Sequence, residues 1–293
     1  MTTRFADPPL TTRFAPSPTG LLHLGHAASA LAGWHAARAA GGRFVLRLED
    51  IDPQRCRPDH AQAILVDLAW LGLDWDGAVR VQSAHLAEYR AVLDVLRRRG
   101  LLYECFCSRA DIAREAKAAA SAPHCTPDEA PLYAGTCRGL APGRRRQRIA
   151  AGEPYMLRLD MRAALDSLAD ADRQLQAQDA ATGLHWRCRP ERFGDVVLAR
   201  RDVPASYHLC VTHDDWRQGV TLVVRGEDLR PATDVHRLLQ ALMGWTPPAW
   251  LHHHLLRDRH GRRLAKRDGA RTLRAMRADG MTASEVRTLA GFA

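Results

Sequence analysis

Residues 11–50 read TTRFAPSPTGLLHLGHAASALAGWHAARAAGGRFVLRLED, and this stretch contains a strand, a helix and a second strand in close succession. The β-compatible residues 11–14 run into a Pro/Gly break at residues 15–20. The alanine-rich residues 24–40 predict a helix that ends at two glycines. Residues 44–48 predict the second strand. This order of elements predicts a parallel α/β sheet.

The pattern continues outward from this stretch, with one interruption. Further elements are predicted as helices at residues 59–71 and 86–99, strands at 195–199 and 220–224, a helix at 233–242, a strand or extended segment at 251–256, and a short helical tail at 272–293. Residues 100–189 differ, because they contain five of the seven cysteines, an alanine-rich helix at 112–120 and a basic run at 144–146. We interpret this block as an inserted subdomain. The predicted division is therefore a first catalytic half at 1–99, an insert at 100–190 and a second half at 191–293.

The composition is that of a folded, basic protein. Apolar residues make up 46% of the chain, which argues against global disorder, and the net charge of +9 indicates an anionic partner such as a nucleotide or nucleic acid. Residues 1–10 have no apolar run, and no segment approaches the roughly 20 apolar residues of a membrane span. We therefore expect a cytoplasmic protein without a membrane partner. Seven cysteines in such a chain favour free thiols or a metal site over a disulfide framework.

The motif His23-Leu24-Gly25-His26 lies between the first strand and the first helix. The amino end of a helix attracts phosphate through its unpaired N–H groups and its dipole, and Gly25 permits close approach of a nucleotide. The two histidines can donate hydrogen bonds to phosphate oxygens and stabilise the charge that develops when the α-phosphorus is attacked. Four residues alone do not distinguish this role from a helix that begins with them by chance.

Two more charged features could bind a substrate. Arg13 ends the first strand, where α/β sheets bind ligands, and could hold a carboxylate; Glu49 ends the next strand and could hold an ammonium group. The alternative is a structural salt bridge between the two. Residues 261–267, GRRLAKR, form a basic loop that could close over a triphosphate, although the loop alone favours a solvated basic surface or an RNA contact.

Five motifs, taken together and in order, resemble those of glutamyl-tRNA synthetases. They are RFAPSPTG at 13–20, HLGH at 23–26, LEDIDP at 48–53, VVRGEDL at 223–229 and GRRLAKR at 261–267. The resemblance covers most of the chain and implies a Rossmann-type class I synthetase catalytic domain with an inserted zinc-containing subdomain. Only about two dozen residues follow Arg267, so we expect no anticodon-binding domain. The cysteine block also resembles that of truncated relatives, the glutamyl-Q tRNA(Asp) synthetases.

That resemblance implies a two-step reaction. The family activates L-glutamate with ATP, without needing tRNA, and then attaches glutamate to queuosine in the anticodon of tRNA(Asp). Mg²⁺ should accompany ATP. The expected partners are therefore ATP, L-glutamate and queuosine-containing tRNA(Asp), and we expect the protein to be a monomer.

The resemblance also assigns roles to residues. L-glutamate would contact Arg13, Phe14, Ala15, Pro16, Ser17, Glu49, Tyr207 and Arg225, and ATP would contact His23, Gly25, His26 and Lys266. We expect His23, His26 and Lys266 to take part in catalysis. A substrate with two carboxylates and one ammonium group calls for two guanidinium groups and one carboxylate, which agrees with this assignment. Ala265 and Arg263 stand where serine and lysine are usual in the family, so we expect slower closure of the Lys266 loop.

A metal site is predicted in the insert. Cys105 and Cys107, two residues apart, with the distant Cys137, suit tetrahedral Zn²⁺. Spacing alone nominates Cys125 or His124 as the fourth ligand, whereas the resemblance nominates Tyr133. We expect one structural Zn²⁺ per chain held by Cys105, Cys107, Tyr133 and Cys137, and metal-free thiols are the alternative.

Two other functions account for part of the sequence. A small nucleotidylyltransferase would explain the HLGH motif, but not Arg13, Glu49, Tyr207 and Arg225 together. A non-catalytic zinc- and RNA-binding relative of a synthetase would be consistent with the altered Lys266 loop. Dependence of ATP–pyrophosphate exchange on glutamate distinguishes the synthetase from the nucleotidylyltransferase. A Lys266→Ala variant that keeps all function would favour the non-catalytic module.

Overall fold

The computed structural model of the chain describes residues 9–118, 125–256 and 271–292. Parallel strands form its centre: β1 (Thr11–Phe14), β2 (Arg43–Leu48) and β3 (Arg80–Val81) in one sheet, and β9 (Leu222–Gly226) with β10 (Ala249–His253) in another. The Thr221 amide donates to the Thr11 carbonyl at 2.9 Å, which sets β9 beside β1. The spatial order is thus β3-β2-β1-β9-β10, and the parallel α/β fold is confirmed.

Helices connect and flank these strands. They are α1 (Leu24–Ala39), α2 (Pro58–Trp70), α3 (Leu86–Arg98), α7 (Tyr207–Arg217), α8 (Thr233–Met243), α9 (Leu273–Ala278) and α10 (Ala283–Leu289). One core lies under α1 and α2 and includes the fully buried side chains of Leu31, Phe44 and Ile64. Because α1 follows β1 directly, the break between them brings the amino end of α1 to the carboxyl edge of the sheet.

The cysteine-rich block forms a second sheet. It is antiparallel, with the order β4 (Leu102–Cys105), β5 (Met156–Leu159) and β8 (Val197–Ala199). The remaining elements of the block are α4 (Arg109–Ala118), α5 (Pro142–Ala150), α6 (Met161–Asp166) and a hairpin of β6 (Gln176–Gln178) and β7 (His185–Arg187). β8 lies beyond the predicted boundary at residue 190 yet pairs with β5. The domain division stays a prediction, since one apolar cluster joins Leu159 and Leu198 of this sheet to Val223 of the parallel sheet.

The element bounds agree with the sequence patterns to within a few residues in most cases. The final strand is shifted: residues 251–256 were predicted to be a strand or an extended segment, whereas β10 spans Ala249–His253 and pairs with β9. Among the described residues, no helix is both long and apolar enough to cross a bilayer.

Candidate active site

A cleft of about 490 Å³ opens at the carboxyl ends of β1, β2 and β9. Its lining includes all the described residues that were predicted to bind glutamate or ATP: Arg13, Phe14, Ala15, Pro16, Ser17, His23, Gly25, His26, Glu49, Tyr207 and Arg225. Segments that are far apart in sequence thus converge on one cavity. Lys266, Ala265 and Arg263 lie outside the described residues.

Arg13 is a buried guanidinium on one wall of the cleft. Its Nε donates to Asp215 Oδ1 at 3.1 Å, and its Nη1 donates to the Val224 carbonyl at 3.0 Å. Asp215 Oδ1 also accepts from Nη2 of the fully buried Arg47 at 2.6 Å. One carboxylate therefore fixes two arginines, and the alternative of a structural salt bridge between Arg13 and Glu49 is not present among the described contacts.

Glu49 also lines the cleft and has an unsatisfied acceptor. Its side chain is 11% exposed, and its Oε1 is buried without a hydrogen-bond partner. The nearest cation is Arg47, whose Nε is 3.5 Å from Oε1. Burial raises the pKa of Glu49 to about 7, against the opposing charges of Arg47 and Arg13. An additional donor with positive charge would therefore be strongly favoured at this carboxylate.

Arg225 is a buried cation held by neutral groups. Its Nη2 donates to Thr233 Oγ1 at 2.6 Å, its Nε donates to His252 Nε2 at 3.4 Å, and its Nη1 is 3.3 Å from His236 Nδ1. Burial lowers the pKa of His252 to about 3 and that of His236 well below its ordinary value, and the charge of Arg225 adds to both effects. The rings therefore accept from Arg225 in their neutral form, and the guanidinium keeps its full charge for an anion.

The amino end of α1 carries the two histidines of the HLGH motif. His23 caps the helix, because its Nδ1 accepts from the Gly25 amide at 3.1 Å. The His23 amide in turn donates to His26 Nδ1 at 3.2 Å. Because Nδ1 of each ring accepts a hydrogen bond, the single ring proton of each neutral histidine must be on Nε2. The cap thus sets each Nε2–H as a donor at a helix end that already favours phosphate.

A second, larger groove of about 800 Å³ adjoins the cleft. The two share Ser17, Thr19, Glu49 and Tyr207, so the groove opens directly onto the candidate glutamate site. Its far wall belongs to the antiparallel sheet and includes the buried Arg158. Sequence reasoning did not predict this groove, because its two walls come from segments that no motif connects.

Three thiols form a compact cluster at the edge of the antiparallel sheet. The sulfur atoms of Cys105, Cys107 and Cys137 all lie within 4.8 Å of one another, and Cys107 Sγ is 3.5 Å from Cys137 Sγ. Tyr133 Oη lies 3.8 Å from Cys107 Sγ. A tetrahedral site with metal–sulfur bonds of about 2.3 Å has ligands roughly 3.8 Å apart, so the cluster could hold a metal ion. Cys125 is exposed and outside the cluster, and His124 lies outside the described residues.

Known proteins are similar to this chain in sequence and in architecture. The family model described as tRNA synthetases class I (E and Q), catalytic domain, matches residues 9–292. A glutamyl-Q tRNA(Asp) synthetase of Rhodobacter capsulatus is 47% identical over 288 residues, which cover 97% of this chain and 100% of the relative. The protein with the same name in Nocardia farcinica is 44% identical over 279 residues, which cover 94% of this chain and 82% of the relative.

Solved structures agree with these relatives. A glutamate tRNA ligase from Elizabethkingia meningosepticum, crystallised with its amino acid, superposes with a TM-score of 0.73 at 29% identity, covering 89% of this chain. The match covers 52% of that structure, so the present chain spans about half its length. A methionyl-tRNA synthetase of Mycobacterium tuberculosis, at 13% identity and a TM-score of 0.59, shares the fold. The chain belongs to the glutamyl-Q tRNA(Asp) synthetase family of class I synthetases, and it is an enzyme of this ligase class.

Proposed function

We propose that the enzyme activates L-glutamate with ATP in the absence of tRNA and then transfers glutamate to queuosine in the anticodon of tRNA(Asp). The observation that carries this proposal is the charge pattern of the cleft. A mostly buried carboxylate, one oxygen of which has no hydrogen-bond partner, lines the same cavity as two buried arginines, beside a helix end that attracts phosphate. The names of the relatives support queuosine-containing tRNA(Asp) as the acceptor.

L-Glutamate matches these charges. Its ammonium group would supply the missing donor for Glu49, and its two carboxylates would be shared by Arg13 and Arg225. Arg225 has no carboxylate within hydrogen-bond distance among the described residues, so a substrate carboxylate would be its first. Glutamine would place a neutral amide against one of these guanidinium groups, which would leave a buried charge uncompensated.

Activation would take place at the amino end of α1. One oxygen of the glutamate α-carboxylate attacks the α-phosphorus, the bond from that phosphorus to the bridging oxygen breaks, and pyrophosphate leaves. The Nε2–H groups of His23 and His26 would donate to the phosphate oxygens as charge develops there. No protein nucleophile is required, so catalysis would rest on positioning and charge stabilisation. We propose Lys266 as a further phosphate contact, and Mg²⁺ as the ion that accompanies ATP.

Transfer would use the larger groove. A queuosine hydroxyl entering there could reach the carbonyl carbon of the adenylate through the opening at Tyr207 and Glu49. The new ester bond forms as the bond to the phosphate oxygen breaks and AMP leaves, and the hydroxyl proton is released.

We propose that the thiol cluster holds one structural Zn²⁺. Its donors are Cys105, Cys107 and Cys137, with Tyr133 as the fourth ligand. Three thiols with an oxygen donor suit a soft, tetrahedral ion. Such an ion would connect the carboxyl end of β4 to the loop before α5.

ATP–pyrophosphate exchange without tRNA tests the activation step. We expect exchange with L-glutamate and very little with L-glutamine or L-aspartate, because only glutamate satisfies both arginines and Glu49. Exchange that requires no amino acid would instead favour nucleotidyl transfer. The complete absence of exchange in metal-replete protein would overturn the proposed activation.

A further inference from the structure

Helix α5, residues PGRRRQRIA, is unusual in composition and burial. Four of its nine residues are arginine, and none of the nine is buried. A helix this short is marginal by itself in water. Burial of an apolar face therefore does not stabilise α5.

Contacts to the backbone and to a ring beside the thiol cluster hold α5 in place. Arg145 Nη2 donates to the Cys137 carbonyl at 3.1 Å and to the Arg138 carbonyl at 3.3 Å. The Arg148 guanidinium lies over the Phe106 ring, 4.2 Å from its centroid. Both anchors adjoin the cysteines of the cluster. The segments that carry the cysteines therefore position an arginine-rich helix.

The arginines that are not anchors keep uncompensated charge. Arg144 and Arg146 are exposed and form no ion pair within the described part of the chain. Arg201 donates to the carbonyls of Phe106 and Cys107, at 2.7 and 3.0 Å, and has no ion pair with any residue that the structure describes. Backbone carbonyls do not cancel a cation, so Arg144, Arg146 and Arg201 leave positive charge on this surface.

This basic surface is continuous with the active-site region. Residues 200–202 line the larger groove and also a second depression of about 530 Å³. The depression is bordered by Arg97 and by Glu153, the residue that pairs with Arg148. Four arginines and three acidic residues line this depression, so arginine side chains connect the mouth of the groove to α5, with acidic residues between them.

We infer that α5 and Arg201 form a binding surface for the phosphate backbone of the RNA that presents the acceptor nucleotide. This inference rests on the proposed function, since it assumes that the acceptor in the groove belongs to an RNA. Arginines spaced along a helix suit phosphates, which carry a regular series of negative charges. A membrane surface is a poorer match, because the helix exposes Ile149 as its single large apolar side chain and has no apolar face.

The test is the double variant Arg144→Gln, Arg146→Gln, compared with the control Arg43→Gln, Arg217→Gln. Both variants remove two exposed positive charges that form no described ion pair. The control residues lie at the amino end of β2 and the carboxyl end of α7, which are the ends remote from the cleft. Glutamate-dependent ATP–pyrophosphate exchange should remain within twofold of wild type in both, which reports correct folding of the activation site.

RNA binding should separate the two variants. Binding of a synthetic anticodon stem-loop of tRNA(Asp) is measured by fluorescence anisotropy at several salt concentrations. The α5 variant should bind roughly tenfold or more weakly near 0.1 M salt, and its log–log salt slope should fall by about two. The control variant should keep the wild-type slope.

Three results would overturn the inference: an α5 variant that binds like the control, a lower affinity without a change in slope, or no RNA binding by the wild-type protein. Failure of the proposed function is distinguishable, because binding does not require catalysis. If the protein binds the stem-loop through α5 but transfers no glutamate, the RNA-binding surface is supported and the proposed transfer reaction is refuted.

Discussion

The affinity for glutamate should depend steeply on pH below neutrality, because of Glu49. Burial raises the pKa of this carboxyl to about 7 in the unliganded cleft. Pairing with the substrate ammonium group requires the ionised carboxylate. Above pH 7 Glu49 is already ionised, whereas below pH 7 binding must expel a proton. The affinity should therefore decline as the pH falls, the direction that follows from a raised carboxyl pKa.

The size of the effect follows from that pKa. With a value of about 7, the ionised fraction is about nine-tenths at pH 8 and roughly one-tenth at pH 6. The apparent dissociation constant for glutamate should thus be about tenfold higher at pH 6 than at pH 8. Neither the α-amino group nor the side-chain carboxyl of free glutamate titrates in this range, so the change reports the protein.

Calorimetric titration with L-glutamate in the absence of ATP isolates this equilibrium. Measurements in buffers of different ionisation enthalpy should also show nearly one proton released per glutamate at pH 6 and almost none at pH 8. The variant Glu49→Gln should bind weakly and lose the pH dependence between these values. A dissociation constant that is the same at pH 6 and pH 8 would refute the role of Glu49, as would an unchanged pH dependence in the Gln variant.

Three other predictions follow from the same contacts. Arg225→Gln should raise the KM for glutamate at least tenfold without lowering the thermal unfolding midpoint, because the buried cation has no carboxylate partner in the described part of the chain; a lower midpoint with normal KM would contradict this. Asp215→Asn should raise the glutamate KM severalfold and leave the ATP KM nearly unchanged, since it loosens Arg13; equal increases in both constants would refute a positioning role. Cys107→Ser should abolish zinc binding and the thiolate absorption of cobalt-substituted protein, whereas Cys125→Ser should retain one metal per chain; metal loss in both variants would argue against the proposed ligands.

Local sequence patterns predicted much of the fold. The break after Phe14 and the helix from Leu24 follow from proline, glycine and alanine content, and the structure has α1 at Leu24–Ala39. The HLGH motif was expected at a helix start, and His23 is the residue that caps that helix. These features depend on neighbouring residues, which a sequence displays directly.

Contacts between residues far apart in the chain could not be predicted from the sequence. Asp215 lies about two hundred residues from Arg13 in the chain, and no motif indicates that it fixes both Arg13 and Arg47. The neutral histidines around Arg225 come from β10 and α8, so their role becomes visible only when those elements pack together. The raised pKa of Glu49 likewise depends on burial, which no spacing rule provides.

Transfer of labelled L-glutamate, with ATP and Mg²⁺, to bulk tRNA from cells with and without queuosine tests the proposed reaction as a whole. Label is expected on the queuosine-containing tRNA alone, and it should be stable to removal of the 3′-terminal nucleotide. Label on both tRNA preparations, lost with the 3′ end, would refute transfer to queuosine and indicate ordinary charging.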